Sequence, residues 1–236
     1  MIDFHTHIIH HIDDGAKTIE ESVKMLEEAY INGTDTVVLT SHYYPKDNEH
    51  LNTYISRRNR KYQELKDACI GKEVPRLLLG AEVNVRDKFY SLEKLPELCI
   101  EGTDYMLVEM PFVKWNENVI EDLYNLTLRG VKLIIAHIDR YMKFPEKELC
   151  LLDELSPVYQ VNSEIMCSYF GKKRLLKLLN ANRVHVLGSD MHGINRRVNT
   201  LHKAYNKLEK HLGVDFINRL NINGQAVLEN KSIDYR

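Results

Sequence analysis

Apolar positions along the chain fall into short β-branched runs separated by longer stretches of helical period. The runs cover residues 2–7 (IDFHTH), 36–42 (TVVLTSH), 76–83 (RLLLGAEV), 105–110 (YMLVEM), 132–138 (KLIIAHI), 158–165 (VYQVNSEI) and 184–190 (VHVLGSD). Each has strand length, and most are followed by a segment long enough for a helix. The first helix has the sharpest boundaries. Thr18 and Glu21 stand at capping-box spacing, Ile19, Val23, Leu26 and Tyr30 form a helical stripe, and Gly33 supplies the stop. Such strand–helix alternation predicts a parallel sheet, open or closed. Open doubly wound sheets carry a glycine-rich first turn that holds nucleotides. Here the first turn carries histidines instead. The pattern therefore predicts an α/β fold, a distorted TIM-like (β/α)7 barrel, as one domain over residues 1–236.

Composition narrows the function classes. A formal net charge of −2 over 236 residues argues against broad nucleic-acid binding. The basic run at 172–179 (KKRLLKLL) reads as an exposed helix face. No apolar run reaches the roughly 18 residues of a spanning helix. The N-terminus is polar where a secretory signal needs an apolar stretch. These features predict a cytoplasmic protein without membrane insertion. Of the four cysteines, Cys69, Cys99, Cys150 and Cys167, no two form C-x-x-C and none precedes an arginine by six positions. Zinc-ribbon and thiolate-phosphatase readings drop out, and the cysteines read as buried free thiols.

Barrel chemistry gathers at the C-terminal ends of strands, where alternate side chains point inward. Asp3, His5 and His7 share one face of the first run. His42 is in phase with Val38 and Thr40, Glu82 with Leu78 and Gly80, and Glu109 with Leu107. His137 is in phase with Leu133 and Ile135. Asp190 is in phase with Val184, Val186 and Gly188, and His192 lies just beyond. Six strands thus end in His, Asp or Glu. A carboxylate such as Glu82 or Glu109 at the end of an apolar strand must pair or bind a metal. Histidine mixed with carboxylate suits zinc, manganese or iron. His185 falls on the opposite parity and reads as structural.

The opening H-T-H, the D-D-G turn, TSH, GAE, LVEM, AHIDRY and GSDMH together resemble the polymerase and histidinol phosphatase (PHP) superfamily. They are most similar to its bacterial manganese-dependent protein-tyrosine phosphatases of capsule and exopolysaccharide loci, over roughly residues 1–230. The resemblance implies three divalent metals, with manganese favoured over iron or zinc. His5, His7, Glu82 and Asp190 would hold one, Glu82, Glu109 and His137 a second, and Asp14, His42 and His192 a third. It further implies that Arg140 and Arg197 grip the phosphate. With a bridging hydroxide, four carboxylates carry five negative charges. Two divalent ions leave that set anionic and three leave it cationic, which favours three for an anionic substrate. The implied reaction is in-line attack of metal-bound hydroxide on phosphotyrosine. The implied partner is the tyrosine-rich tail of a polysaccharide-assembly kinase.

The chain departs from the family pattern at His10 and His11, and after Glu82, where Val83 and Asn84 stand in place of an aromatic residue. Asp3 is expected to orient a ligand histidine, and His10, His11 and Asp13 to sit in a loop over the mouth. Arg196 competes with Arg197 for phosphate, and Arg140 could instead pair with Asp139 or Glu146. Asn162 could bond a water or shape a loop. Trp115, Tyr43 and Tyr44 could line a phosphotyrosine pocket or cover the rim. Competing functions are a histidinol-phosphate-type small-molecule phosphatase, an amidohydrolase, in which a lysine commonly stands where this chain has Glu82, and a metal-bound scaffold.

Overall fold

The structure is a computed structural model that describes residues 1–113, 115, 117–168 and 171–233; the remaining positions, and the side chain of Lys172 in the basic run, lie outside the described residues. Nine strands run in parallel: β1 (Ile2–Thr6), β2 (Thr36–Leu39), β3 (His42–Tyr43), β4 (Arg76–Leu79), β5 (Glu82–Asn84), β6 (Tyr105–Glu109), β7 (Lys132–Ile135), β8 (Val158–Asn162) and β9 (Val186–Gly188). They form two sheets, β1-β2-β4 and β3-β5-β6-β7-β8-β9. The sheets meet where β1 faces β9. The His7 amide donates to Met191 O (2.9 Å) and the Asp190 amide to His5 O (2.7 Å). The result is a curled, TIM-like barrel with seven strand positions.

Two of the seven sequence runs are each broken into two strands. In the second, the Thr40 hydroxyl accepts from the Thr6 amide (2.9 Å), replacing a ladder bond and ending β2 before β3 begins. In the third, β4 stops at Gly80, whose carbonyl accepts from buried Arg58 (3.0 Å). Arg58 belongs to α2 (Asn48–Ala68), whose Tyr54 also donates to Ser41 O (2.8 Å). The breaks therefore leave these carbonyls satisfied, as buried peptide groups require.

The helices pack outside. In α1 (Ile19–Ile31) Thr18 Oγ1 accepts from the Glu21 amide (3.2 Å), as capping predicts. Its buried side is Ser22, Val23, Met25, Leu26 and Ala29, so Val23 and Leu26 of the predicted stripe are buried, Ile19 is half-buried and Tyr30 is exposed. The crossover from β5 to β6 uses two 3₁₀ turns, Phe89–Ser91 and Leu95–Leu98. The remaining helices are α3 (Glu117–Leu128), α4 (Glu146–Asp153), α5 (Gly171–Asn180), α6 (Leu201–Leu212) and α7 (Val214–Leu228). Among the described residues, no helix is long and apolar enough to cross a membrane. Val38, Leu78, Leu107, Ile134, Val158 and Val186 form one apolar cluster beneath the rim. Leu133, Ile135 and Val161 instead join the cluster that includes Leu123, Leu126 and Leu149 of the helices. Of the four free cysteines, Cys69 and Cys99 are buried, but Cys150 and Cys167 are exposed, against the expectation of buried thiols.

Candidate metal centre

All nine residues singled out as ligands, eight at strand ends and Asp14 after the first turn, converge at one end of the barrel. Their donor atoms form overlapping groups, each within 4.8 Å: His7, Asp14, His42 and His192; His5, His7 and Asp190; His5, Glu82 and His137; His42, Glu82 and Glu109. His5, His7, Glu82, His137, Asp190 and His192 are almost wholly inaccessible. Asp14 is the exposed member, at 59%.

Glu82 is the hub. Its Oε1 lies 2.8 Å from His137 Nε2. Its Oε2 lies 2.8 Å from His42 Nδ1, 3.2 Å from His5 Nε2 and 3.4 Å from His7 Nε2. None of the three Oε2 contacts has hydrogen-bond geometry, so a buried carboxylate oxygen is ringed by ring nitrogens aimed past it. The Nε2 atoms of His5 and His7 face each other at 3.1 Å. Ring nitrogens and carboxylate oxygens converging on common points are the donor set of a borderline divalent cation. The residues present fit such ions.

Electrostatics points the same way. Burial raises the Glu82 and Asp190 carboxyls, but the surrounding imidazoles, joined at Asp190 by Arg140, outweigh it and hold both well below the usual range. Burial also works against the His5 and His7 imidazoliums, yet Glu82 and Asp190, with Asp13 at His7, raise them. Glu109 is raised by burial and by Glu82. Burial pushes His137 and His192 down to about 4, so both are neutral imidazoles, the form that binds a cation. The acidic cluster demands positive charge, and the nearest cations supply it. The guanidiniums of Arg140 and Arg197 both donate to Asp190 Oδ2. Arg197 also reaches His192 Nε2 at 2.8 Å. Arg196 instead donates to the Asp14 carbonyl, tying down the D-D-G turn.

The supporting shell differs from the sequence expectation at several positions. Asp3 Oδ1 accepts from the Ser189 amide (2.8 Å) and the His5 amide (3.2 Å), so it locks β1 to β9 through backbone and orients no ring. The His5 ring is held by Gln160, whose Oε1 lies 3.1 Å from Nδ1 and also accepts from the His137 amide (2.7 Å). Asp13 is no rim residue. Its Oδ2 accepts from His7 Nδ1 (2.7 Å) and from the His42 amide (2.8 Å), fixing the His7 tautomer with Nε2 inward. Asn84 donates to Glu109 Oε2 (3.0 Å) and Asn162 to Asp190 Oδ2 (2.8 Å). Two glycines make room. A Cβ on Gly15 would meet His7 O at 2.0 Å, and one on Gly188 would meet His5 Cβ at 2.5 Å.

His137 reaches the centre as expected but not by the expected parity, because Leu133 and Ile135, its in-phase partners, face outward. Ile134 lies in the inner cluster and Ile135 in the outer one, so alternation alone would turn His137 outward. Left-handed backbone at φ 34° swings it in. His10 turns from the mouth to α2, its Nε2 3.2 Å from Glu64, and exposed His11 also lies outside the donor groups. His185 is buried on the outer face, where its Nδ1 accepts from the Tyr159 amide (3.0 Å). Trp115 is buried, donates to Pro111 O (2.8 Å) and stacks on Phe144. Tyr43 is buried against Tyr54. The exposed aromatics beside the centre are Tyr44, 41% exposed with its ring 5.4 Å from His42, and Phe112, 46% exposed with its ring 6.0 Å from His137. Phe112 escaped the sequence reading, because a single aromatic after a strand end carries no periodic signal.

A parallel TIM-like barrel with histidines and carboxylates on its strand ends defines the class, a metal-binding α/β barrel protein. The family model described as capsular polysaccharide synthesis, CpsB/CapC, matches residues 1–229, and the chain belongs to this family. It is 32% identical to the tyrosine-protein phosphatase CpsB of Streptococcus pneumoniae, over 90% of this chain and 91% of that protein. It is 30% identical to the tyrosine-protein phosphatase YwqE of Bacillus subtilis, over 99% and 93%. Among solved structures, one from a study of YwqE and CpsB as metal-dependent tyrosine phosphatases superimposes with a TM-score of 0.84 at 26% identity, covering 99% of this chain and 96% of that one.

Proposed function

We propose that this chain is a metal-dependent protein-tyrosine phosphatase. The observation that carries the reading is the convergence of five imidazoles and four carboxylates beside two arginines, in a chain that aligns over nine-tenths of its length with CpsB. His5, His7, Glu82 and Asp190 would hold one divalent ion, Glu82, Glu109 and His137 a second, and Asp14, His42 and His192 a third, with manganese the favoured metal. Such ions, when bound, lower the pKa of a water from about 15.7 toward about 7 and neutralise phosphoryl oxygens.

The chain's own groups do the rest. Arg140 and Arg197, about one-third exposed, stand at the mouth, where they would exchange their contacts with Asp190 for phosphoryl oxygens. Asp13 and Gln160 keep the His7 and His5 rings turned inward. Tyr44 and Phe112 present apolar faces for the phenyl ring of the substrate. The leaving phenolate has a pKa of about 10 and needs less protonation than an alkoxide. The physiological substrate is a phosphotyrosine protein, the tail of a tyrosine kinase of capsule or exopolysaccharide assembly, dephosphorylated in the cytoplasm.

Chelated enzyme re-supplied with manganese tests the reading, assayed on a phosphotyrosine peptide and on histidinol phosphate. Turnover of the peptide should vanish with chelator, return with metal and exceed that of histidinol phosphate. Preference for histidinol phosphate, or activity that survives chelation, refutes it.

A further inference from the structure

Beside the centre lies a cavity of about 410 Å³ lined by Arg140, Lys143, Lys173, Arg174 and Lys177. Its acidic member is Asp139, whose buried carboxylate accepts from the Asn162 amide (2.9 Å). Lys173, Arg174 and Lys177 project from α5, a segment (GKKRLLKLLN) without a single Asp or Glu. Among the described residues, none of the four cations besides Arg140 takes part in an ion pair, whereas Arg183, nearby in sequence, is held by Glu146 and Asp153. In a chain of net charge −2 this is a local excess of unmatched positive charge. A merely solvated helix face usually intersperses both signs.

The cavity is joined to the catalytic mouth through one residue. Arg140 lines it and also donates to Asp190 in the centre. An anion seated there is therefore a neighbour of the phosphate being hydrolysed. A half-open pocket of this size accepts one anionic group, unlike the long track that a nucleic-acid backbone needs.

We propose that this cavity is a second anion site, which takes an acidic or phosphorylated side chain of the same peptide whose phosphotyrosine occupies the centre. The proposal rests on the phosphatase reading above. Its chemistry is recognition by forked guanidinium and ammonium donors, which raises affinity for acidic peptides and leaves the hydrolytic step alone.

The test compares Lys173→Glu/Lys177→Glu with a control pair of equal charge change on exposed positions of α6, Lys203→Glu/Lys210→Glu. Manganese-loaded enzymes are assayed on p-nitrophenyl phosphate, on a phosphotyrosine peptide with neutral flanks, and on the same peptide with glutamate flanks. The cavity variant should raise KM for the acidic peptide about tenfold, with kcat and the other two substrates within about twofold of wild type. The control pair should leave all three within about twofold. An unchanged KM, an equal change on all three substrates, or an equal change in the control pair overturns the proposal. So does loss of binding to phosphatidylserine vesicles by the cavity variant with an unchanged peptide KM, which would assign the face to a membrane surface. A wild-type enzyme that turns over neither peptide refutes the phosphatase reading itself, and that outcome is distinct from a flat comparison between variants.

Discussion

His5 and His7 enter the centre from the end of β1 and the residue just beyond it, where the β1–β2 register shifts between Asp3 and Thr6, whereas His137, Asp190 and Arg197 stand in left-handed backbone beyond β7 and β9. Their φ angles are 34°, 55° and 43°. A non-glycine residue held there costs roughly 1–3 kcal/mol. On the β1 side, a shift of register turns the rings inward without left-handed backbone, and Gln160 and Asp13 hold their Nδ1 atoms. Beyond β7 and β9 the chain accepts left-handed backbone at the ligands His137 and Asp190, each two residues past its strand. The same centre is thus built from one wall at ordinary backbone angles and one at strained ones.

Glycine at one position on each wall separates them most sharply. His5→Gly removes a buried side chain from mid-strand and should cost about 3 kcal/mol of stability in metal-free urea melts. His137→Gly relieves its backbone, so strain relief offsets lost packing and stability should change by no more than about 1 kcal/mol. Equal losses would show that the backbone at His137 stores no strain.

A histidine on the outer face extends the contrast. His185 is pushed down to about 4 by burial, from an ordinary value of 6.5. Between those values the unfolded chain binds the proton and the folded one does not. Its contribution, up to about 3 kcal/mol, is therefore complete above pH 6.5 and lost as pH falls toward 4. Protonation also removes the lone pair that accepts from the Tyr159 amide. Chemical melts from pH 7.5 to 4.5 should show this slope, flattened in His185→Asn; an unaltered slope in the variant would remove His185 from the account.

The mildest change tests how the regular wall is aimed. Asp13→Asn keeps the size of the side chain but removes the charge behind His7. Metal affinity, measured by competition with a chelator, should fall about 10- to 100-fold. Unchanged affinity would reduce Asp13 to a loop-shaping residue.

Much of this was legible in the sequence. The β-branched runs marked the seven strand positions, and strand-end parity correctly placed Glu82, Glu109 and His42 inward. The breaks at Thr40–Ser41 and Gly80–Ala81 were not legible, because a hydroxyl and a distant arginine satisfy the backbone there, and neither leaves a periodic trace. His137 was taken as inward in phase with Leu133 and Ile135; those two face the helices, and His137 reaches the centre only because one torsion past the strand end overrides alternation. Asp13 and Asn84 were missed as supports because their partners, His7 and Glu109, are set by the fold and not by local spacing. The sequence left Arg196 and Arg197 in competition, and the fold separates them: Arg197 donates to Asp190 in the centre, whereas Arg196 donates to the Asp14 carbonyl.

The central claim is that the nine converging donors hold the ions that make this chain a phosphatase. Metal content by mass spectrometry of manganese-reconstituted protein, read alongside phosphotyrosine-peptide turnover in the same samples, tests it most directly. Wild type should carry about three ions per chain, and His137→Gly should lose at least one of them together with about 10³-fold of turnover. Full turnover in protein stripped of metal, or in a His137→Gly variant that has lost its ion, would contradict the account.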